Sequence, residues 1–252
     1  EQEFRRLEEA DDAAMGEVDD WIRENEEFKA RGGGIPNAEL NRRVRKRLAL
    51  VGEAWADFIR RHPDHAKARL AYASFLHDIG DEEGEVGHLE KARELDPANP
   101  AAWNNLANYY GHRGPVTNAF AYYQKAIALN GQEPVYYHNF GTTVFLFRKD
   151  AREYFRIDEQ QVFDKALDLY AQALRLDPTN FPLASDVALT YYGIRPMRTR
   201  AALMAWTNAL NQARDDAERE AVYIHLARIK MGAGLFQESH AHLNAVTNAI
   251  SS

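Results

Sequence analysis

The sequence predicts an all-α fold of stacked helical hairpins, and three observations carry this prediction. Apolar residues recur at i, i+3, i+4 and i+7 through most of the chain, which is the spacing of an amphipathic helix. Glycine and proline interrupt this pattern at short intervals and supply turns. Landmark residues recur 34 positions apart, from Pro63 to Pro97 and from Trp103 to Tyr137. A repeated two-helix unit accounts for all three observations.

Composition limits the class of protein. The chain has 252 residues, of which 45% are hydrophobic and 27% charged, as is typical of globular proteins. It has no cysteine, which excludes disulfides, zinc–cysteine sites and thiol nucleophiles. No apolar run has the length of a membrane span, so we expect a soluble protein without membrane insertion. Because the chain begins at Glu1 and not at Met, we expect a processed or partial product, and cytoplasmic, periplasmic and secreted locations stay open.

The net charge of −7 is distributed unevenly along the chain. Residues 1–30 contain 12 acidic and 4 basic side chains, whereas the remainder contains 26 acidic and 27 basic ones. Binding to a nucleic-acid backbone needs clustered lysine and arginine, and the nearly neutral remainder has no evident basic face. The sequence therefore predicts no nucleic-acid partner.

Residues 1–62 are predicted to form an N-terminal helical pair. The first helix covers residues 1–30 and ends at the glycines 32–34; Asn37 is the expected N-cap of a second helix that runs to about Arg61. Residues 38–62 carry seven basic and three acidic side chains, opposite in balance to the first helix. We hypothesise a cap held by apolar packing, with charge complementarity selecting the partner helix. A simply solvated basic face is the alternative.

The stretch from Pro100 to Gly131 has the clearest hairpin pattern. Its first half places four apolar or small residues on one helical stripe: Trp103, Leu106, Ala107 and Tyr110. Its second half does the same with Ala119, Tyr123, Ala126 and Ile127. Gly111, Gly114 and Pro115 separate the halves and supply the turn.

This stretch resembles a tetratricopeptide repeat (TPR), whose pattern W-x2-L-[GA]-x2-Y it contains, and 34 residues is the period of that family. The resemblance covers about residues 63–250 as five repeats, near 66–97, 100–131, 134–178, 181–214 and 220–251. It implies a right-handed α-solenoid, or superhelix, following the N-terminal pair. It also implies that the first helix of each repeat lines a concave groove. Glu85 departs from the pattern, because a small residue is usual at that position.

The third repeat contains 13 additional residues near Arg148–Gln161. Asp158 and Gln161 have the spacing of a capping box, so the second helix is expected to begin near them, and the first helix is expected to continue past Phe147. The apolar residues of the insertion, Tyr154, Phe155 and Ile157, either form a lip over the groove or pack on one another.

No catalytic signature is present, so the sequence predicts a protein that is not an enzyme and holds neither a cofactor nor a metal ion. The dipeptide His77-Asp78 has no accompanying set of metal ligands. His240 and His242 are two residues apart, so a helix directs them differently. A phosphate-binding glycine loop follows a strand, whereas the glycines 32–34 follow a predicted helix.

The remaining candidate site is the groove, formed by first-helix positions that the packing stripes do not use. These positions are Asn104, Asn105, Asn108, His112, His138, Asn139, Thr142, Phe145, Ser185, Tyr192 and Arg228. A carboxamide both donates and accepts, so the asparagines can pair with the backbone of an extended peptide. The alternative is that they are solvated polar residues of surface helices.

The sequence thus favours a non-catalytic protein–protein interaction module that binds a peptide or partner segment in the groove. One alternative is a structural subunit that self-assembles through its flanks or its C-terminal end, which leaves a homo-oligomer possible. Another is the recognition domain of a larger enzyme. Fold-level resemblance does not identify the partner.

Overall fold

The computed structural model describes residues 1–249. Within that range the chain is all-α, with thirteen α-helices, one short 3-10 turn and no strand. The helices, numbered in chain order, are α1 (Gln2–Ala30), α2 (Asn37–Arg61), α3 (Ala66–Ile79), α4 (Glu82–Leu95), α5 (Pro100–Arg113), α6 (Val116–Leu129), α7 (Pro134–Leu146), α8 (Arg148–Phe155), α9 (Glu159–Leu176), α10 (Phe181–Thr190), α11 (Thr199–Gln212), α12 (Asp216–Gly232) and α13 (Phe236–Ala249). The predicted end of the fifth repeat at residue 251 lies outside the described residues.

The chain divides into two compact units, Glu1–Leu106 and Ala107–Ser252. The division lies inside α5. The sequence predicts a different boundary, after residue 62, where the N-terminal pair ends and the repeats begin. That boundary stays a prediction.

In the first unit, α1 and α2 form an antiparallel pair over an aromatic core. The ring of Phe4 lies 6.2 Å from Trp55 and 6.1 Å from Phe58, and these side chains are almost completely buried. Two ion pairs cross between the helices, Arg47–Glu17 at 2.8 Å and Arg61–Glu3 at 2.7 Å. Exposed pairs contribute about 0–1 kcal/mol each. Apolar burial is therefore the larger contribution to holding the pair, and the hypothesis that charge selects the partner helix stays a prediction.

The loop between α1 and α2 is held by a buried polar residue of α1. Asn25 is buried; its Oδ1 accepts from the backbone N–H of Ile35 at 2.8 Å and its Nδ2 donates to the carbonyl of Ile35 at 3.3 Å. Gly34 has a φ of +88°, and a Cβ there would meet Asn25 Oδ1 at 3.0 Å. Asn37 was expected to be the N-cap, but Pro36 occupies that position and Asn37 begins the helix.

The departure at Glu85 is accommodated by a polar contact within the first unit. Glu85 is 8% exposed and lies on α4. Its Oε2 is 3.2 Å from Nδ1 of His77 on α3. A buried carboxylate needs such a partner because desolvation disfavours its charged form.

The second unit has two apolar cores. The first joins α6, α7 and α9 through Phe120, Tyr123, Phe140 and Tyr170. The second surrounds Trp206 and joins α10, α11 and α12. Small buried residues at the crossings, such as Gly141 and Ala166, bring α7 and α9 close together.

The insertion forms a separate short helix. We expected the first helix of the third repeat to continue past Phe147, but α7 ends at Leu146 and α8 starts at Arg148. The break lets Phe155 bury its ring 5.3 Å from that of Phe120 on α6. The chain then turns through Arg156 in the left-handed region, and the predicted capping box of Asp158 is confirmed at the start of α9.

Candidate partner-binding surface

In the first unit, the predicted groove residues Asn104 and Asn105 are less accessible than expected. Asn104 is only 5% exposed, and its Nδ2 donates to Oδ1 of the half-buried Asn105 at 3.2 Å. The expectation that Asn104 points outward is wrong. The buried positions of α5 are Ala102, Asn104, Leu106, Ala107 and Gly111. At about 100° per residue they span roughly 200° of the helix circumference. The apolar stripe read from the sequence is narrower than this arc, so it did not indicate that Asn104 is buried.

In the second unit, Asn108 belongs to a buried polar network and not to an open surface. Its Oδ1 accepts from the hydroxyl of Tyr123 at 2.7 Å. Thr143 Oγ1 lies 3.3 Å from the same hydroxyl. Burial raises the pKa of Tyr123 to about 12, although the hydrogen bond from Thr143 acts to lower that pKa. Asn108 thus has a role in joining α5, α6 and α7, whereas His112, one turn later, is exposed.

His138 and Thr142 on α7 both contact residues of neighbouring helices. His138 Nε2 lies 3.0 Å from Oδ2 of Asp186 on α10. Thr142 Oγ1 lies 3.0 Å from the hydroxyl of Tyr170 on α9, and burial raises the pKa of that tyrosine. Asn139, adjacent to His138, is half-buried. The polar groups of α7 are therefore fixed in orientation.

Two predicted groove residues have side chains directed into the protein. Phe145 packs against Phe163 with ring centroids 6.2 Å apart. Its Cζ is so close to Gly193 that a Cβ there would lie 2.6 Å away. Ser185 Oγ is buried and has no hydrogen-bond partner. Both side chains are therefore directed inward and not outward as expected; for Phe145 the reason is that α9 and the turn after α10 pack against its ring.

A second polar and aromatic cluster joins the end of α10 to α12. The hydroxyl of Tyr192 lies 3.1 Å from Nδ1 of His225. The guanidinium of Arg228 lies over the Tyr192 ring, 4.8 Å from its centroid. His225 stacks on Trp206 with a centroid distance of 4.0 Å. Burial, and then the charge of Arg228, lower the pKa of His225, so its ring is neutral near pH 7.

Exposed apolar residues lie directly beside these polar clusters. Leu189 is 43% exposed and precedes Tyr192 by one turn; Ile224 is 49% exposed and precedes Arg228 by one turn. Since Tyr192 and Arg228 are in contact, the four residues form a continuous strip from α10 to α12. We call Leu189, Tyr192, Ile224 and Arg228 the α10–α12 strip.

Sequence reasoning did not identify Asp186 or His225 as part of this surface. Asp186 follows the predicted groove residue Ser185 and lies one turn before Leu189, so its helical position was a usable signal. His225 carried no such signal, because its role depends on Tyr192, which is 33 residues away.

Part of the chain matches a known family of repeats. Residues 100–133 match the family model described as "Tetratricopeptide repeat". The chain carries a tetratricopeptide repeat. A relative in Haemophilus influenzae, an uncharacterised protein, is 33% identical over 108 residues, which are 42% of this chain and 56% of that protein. The chain thus spans little more than half the length of this curated relative.

Solved structures of TPR proteins share the fold. MamA protein is 18% identical with a TM-score of 0.57, covering 73% of this chain and 90% of that one. YrrB, described as a TPR protein with an unusual peptide-binding site, is 15% identical with a TM-score of 0.57, covering 78% and 92%. PilW, a type IV pilus biogenesis factor, is 14% identical with a TM-score of 0.62, covering 82% and 87%. The predicted all-α TPR solenoid class is confirmed.

Features of membrane-spanning and metal-binding proteins are missing from residues 1–249. Within residues 1–249, none of the helices combines the length and hydropathy that crossing a lipid bilayer demands. The same range contains no group of three or more histidine, aspartate or glutamate side chains arranged to hold a metal ion. The expectation that the chain is not an enzyme stays a prediction.

Proposed function

We propose that this TPR protein is a non-catalytic interaction module that binds a segment of a partner protein on the surface formed by α7, α10 and α12. These are the first helices of its third, fourth and fifth repeats. The observation that carries the proposal is the α10–α12 strip, where exposed apolar side chains flank polar groups of fixed orientation.

The strip has the composition of a binding surface. Leu189 and Ile224 offer apolar area that a partner side chain can cover, at about 25 cal/mol per Å². The Tyr192 ring and the Arg228 guanidinium restrict each other, so little side-chain entropy is lost when a ligand binds them. The description of YrrB supports a peptide as the type of ligand.

The proposal revises the role of the predicted asparagines. Asn104 and Asn108 are engaged in internal hydrogen bonds, Asn104 with its neighbour Asn105 and Asn108 with Tyr123 on α6. His138, Tyr192 and Arg228 remain the predicted groove residues that lie on the proposed surface, together with Asp186; His112 is exposed on α5, outside that surface.

A peptide selection tests the proposal. The full chain is immobilised and used to select peptides from a phage-displayed library, and the affinities of synthetic versions are measured by fluorescence polarisation. Ile224→Glu and Leu189→Glu are expected to weaken binding about tenfold or more, since each removes roughly 1.4 kcal/mol of apolar contact. Met204→Glu is the matched control, because Met204 is 66% exposed on α11, outside the strip.

The results separate binding at this surface from other outcomes. Equal weakening by Met204→Glu and the two strip variants would show that the effect is general surface charge. Recovery of peptides that bind all variants equally would contradict the proposal. Circular dichroism must show unchanged helicity for every variant.

A second candidate function, self-assembly, is favoured by a separate apolar patch. Met231, Leu235 and Phe236 surround the turn between α12 and α13 and are 56%, 40% and 68% exposed. If copies of the chain associate there, light scattering will show a concentration-dependent dimer that Phe236→Asp dissociates. A monomer at all concentrations would exclude this function and the predicted homo-oligomer.

A further inference from the structure

A cleft of about 580 Å³ runs along α9 in the second unit. One wall is a face of α9 that includes Asp164, Lys165, Asp168 and Leu169. The insertion supplies Phe155 and Ile157, and α7 supplies Tyr137. The lining contains no residue of the α10–α12 strip, so the cleft is a separate feature of the surface. We call it the α9 cleft.

The apolar wall of the α9 cleft is fixed before any ligand binds. The Phe155 ring packs 5.3 Å from Phe120 and 6.3 Å from Phe140, on two different helices. The N–H of Ile157 donates to the carbonyl of Arg152 at 3.2 Å, and the capping box of Asp158 follows directly. A preformed wall reduces the entropy that a ligand loses on binding.

The charges in the α9 cleft are unequally satisfied. Lys165 Nζ lies over the Phe155 ring, 4.3 Å from its centroid, so this cation is engaged by the wall itself. Asp164 pairs with Arg198 at 2.5 Å. Asp168 is one helical turn further along α9 and is exposed, and among the described residues it has no cationic partner. The cleft therefore has an apolar end at Phe155 and Ile157, and an acidic edge at Asp168.

We propose that the α9 cleft is a second docking site, which binds a partner segment carrying a bulky apolar side chain and, one or two turns away, a lysine or arginine. The apolar side chain covers Ile157 and Leu169, beside the Phe155 ring over which Lys165 lies. The cation pairs with Asp168, the carboxylate of the cleft lining that has no cationic partner among residues 1–249. Complementarity of charge selects a basic segment over an acidic one, since an acidic segment would face the carboxylate of Asp168.

The two halves of the site have different physical roles. Burial of the apolar side chain supplies affinity, because it removes water from both surfaces. The pairing with Asp168 supplies orientation and specificity, and it is sensitive to salt because the carboxylate is exposed. The insertion thus adds a binding surface without altering the α10–α12 strip.

A peptide experiment with a charge swap tests the proposal. Peptides are selected from a phage-displayed library on the full chain carrying Ile224→Glu, so that groove binders are disfavoured. Synthetic peptides are then titrated against Asp168→Lys and Ile157→Asp in that background. The matched control is Glu153→Lys, which makes the same charge change at an exposed residue of α8 outside the cleft.

We expect the recovered peptides to contain a bulky apolar residue and a lysine or arginine. Asp168→Lys should weaken them about tenfold or more, and Glu153→Lys should not. A peptide with its cation replaced by glutamate should regain affinity for Asp168→Lys, which a merely structural effect of the substitution would not produce.

Three results would overturn the proposal. The first is a set of recovered peptides in which lysine and arginine are not enriched. The second is equal affinity of the peptides for the Asp168→Lys variant and for the chain that keeps Asp168. The third is a dimer in light scattering that Asp168→Lys dissociates, because the occupant would then be a second copy of the chain. None of these results bears on the α10–α12 strip, which Leu189→Glu and Ile224→Glu test separately.

Discussion

Replacing Gly141 by alanine tests how closely α7 and α9 must approach. An ideal Cβ on Gly141 would lie 3.0 Å from Cδ1 and Cε1 of Tyr170 and 3.2 Å from the carbonyl oxygen of Ala166. Favourable contacts between carbon atoms lie at about 3.5–4.0 Å. Tyr170 is 2% exposed and its hydroxyl is bonded to Thr142, so it cannot move without loss. Both helices must therefore shift.

Two opposing effects set the size of the change. Alanine favours a helix interior over glycine by about 0.5–1 kcal/mol. Overpacking a buried contact costs about 1–3 kcal/mol. Since the obstruction includes backbone and a fully enclosed ring, we expect the second effect to prevail, with Gly141→Ala destabilising the chain by about 1–2 kcal/mol.

Gly111 in α5 provides a matched control, because it is also a buried helical glycine. A Cβ there would lie 3.6 Å from Cγ2 and Oγ1 of Thr143 and 4.0 Å from Cβ of Ala119, which is ordinary contact. Gly111→Ala should therefore be neutral or stabilising by up to about 1 kcal/mol.

Urea denaturation followed by circular dichroism measures both variants. The expected order of unfolding midpoints is Gly111→Ala at or above the unsubstituted chain and Gly141→Ala below it, with similar slopes. If Gly141→Ala unfolds at the same urea concentration as Gly111→Ala, the close approach of α7 and α9 does not limit stability and the reasoning is wrong.

Three further substitutions test single contacts. Tyr123→Phe should destabilise the chain by about 1–3 kcal/mol in urea titrations, since it leaves Oδ1 of Asn108 without its donor; an unchanged midpoint would contradict this network. Burial is the largest cause that raises the pKa of Asp11 in the folded chain. Ionisation of Asp11 therefore opposes folding, and stability is lost as the pH rises above about 3.9, the ordinary pKa of an aspartate. Asp11→Asn, which still accepts from Trp55, should therefore raise the melting temperature at pH 7 and not at pH 3, and a gain at both would point to another cause. Asp158→Ala should cost about 0.5–2 kcal/mol by removing the cap of α9, whereas Asp158→Asn should cost little; equal losses would show that the cap is not the reason.

Local features were predictable because their causes lie within a few residues. The capping box at Asp158 depends only on Gln161, three positions later, and it occurs as predicted. The antiparallel N-terminal pair follows from two apolar stripes joined by a glycine-rich turn. The end of α7 at Leu146 was not predictable in this way, because it depends on Phe155 finding the ring of Phe120 on another helix.

The candidate site was predicted less well than the fold. The apolar stripe of α5 does not include Asn104 or Asn108. In the structure, however, Asn104 is buried and Asn108 is hydrogen-bonded to Tyr123 on α6. Asp186 was missed although its place beside Ser185 was a usable signal; its contact with His138, 48 residues away, could not be read from the helical period. The helical period reports the side of a helix that is apolar, and it does not report how many neighbours pack against that helix.

The sequence alone determined the repeating helical hairpin, its period and its family, because the apolar spacing and turn residues act within a single repeat. Only the tertiary structure decided which outward positions are accessible and which are engaged, since that depends on contacts between residues far apart in the chain. The same is true of the α9 cleft, where a 13-residue insertion becomes a binding surface only after Phe155 packs on α6.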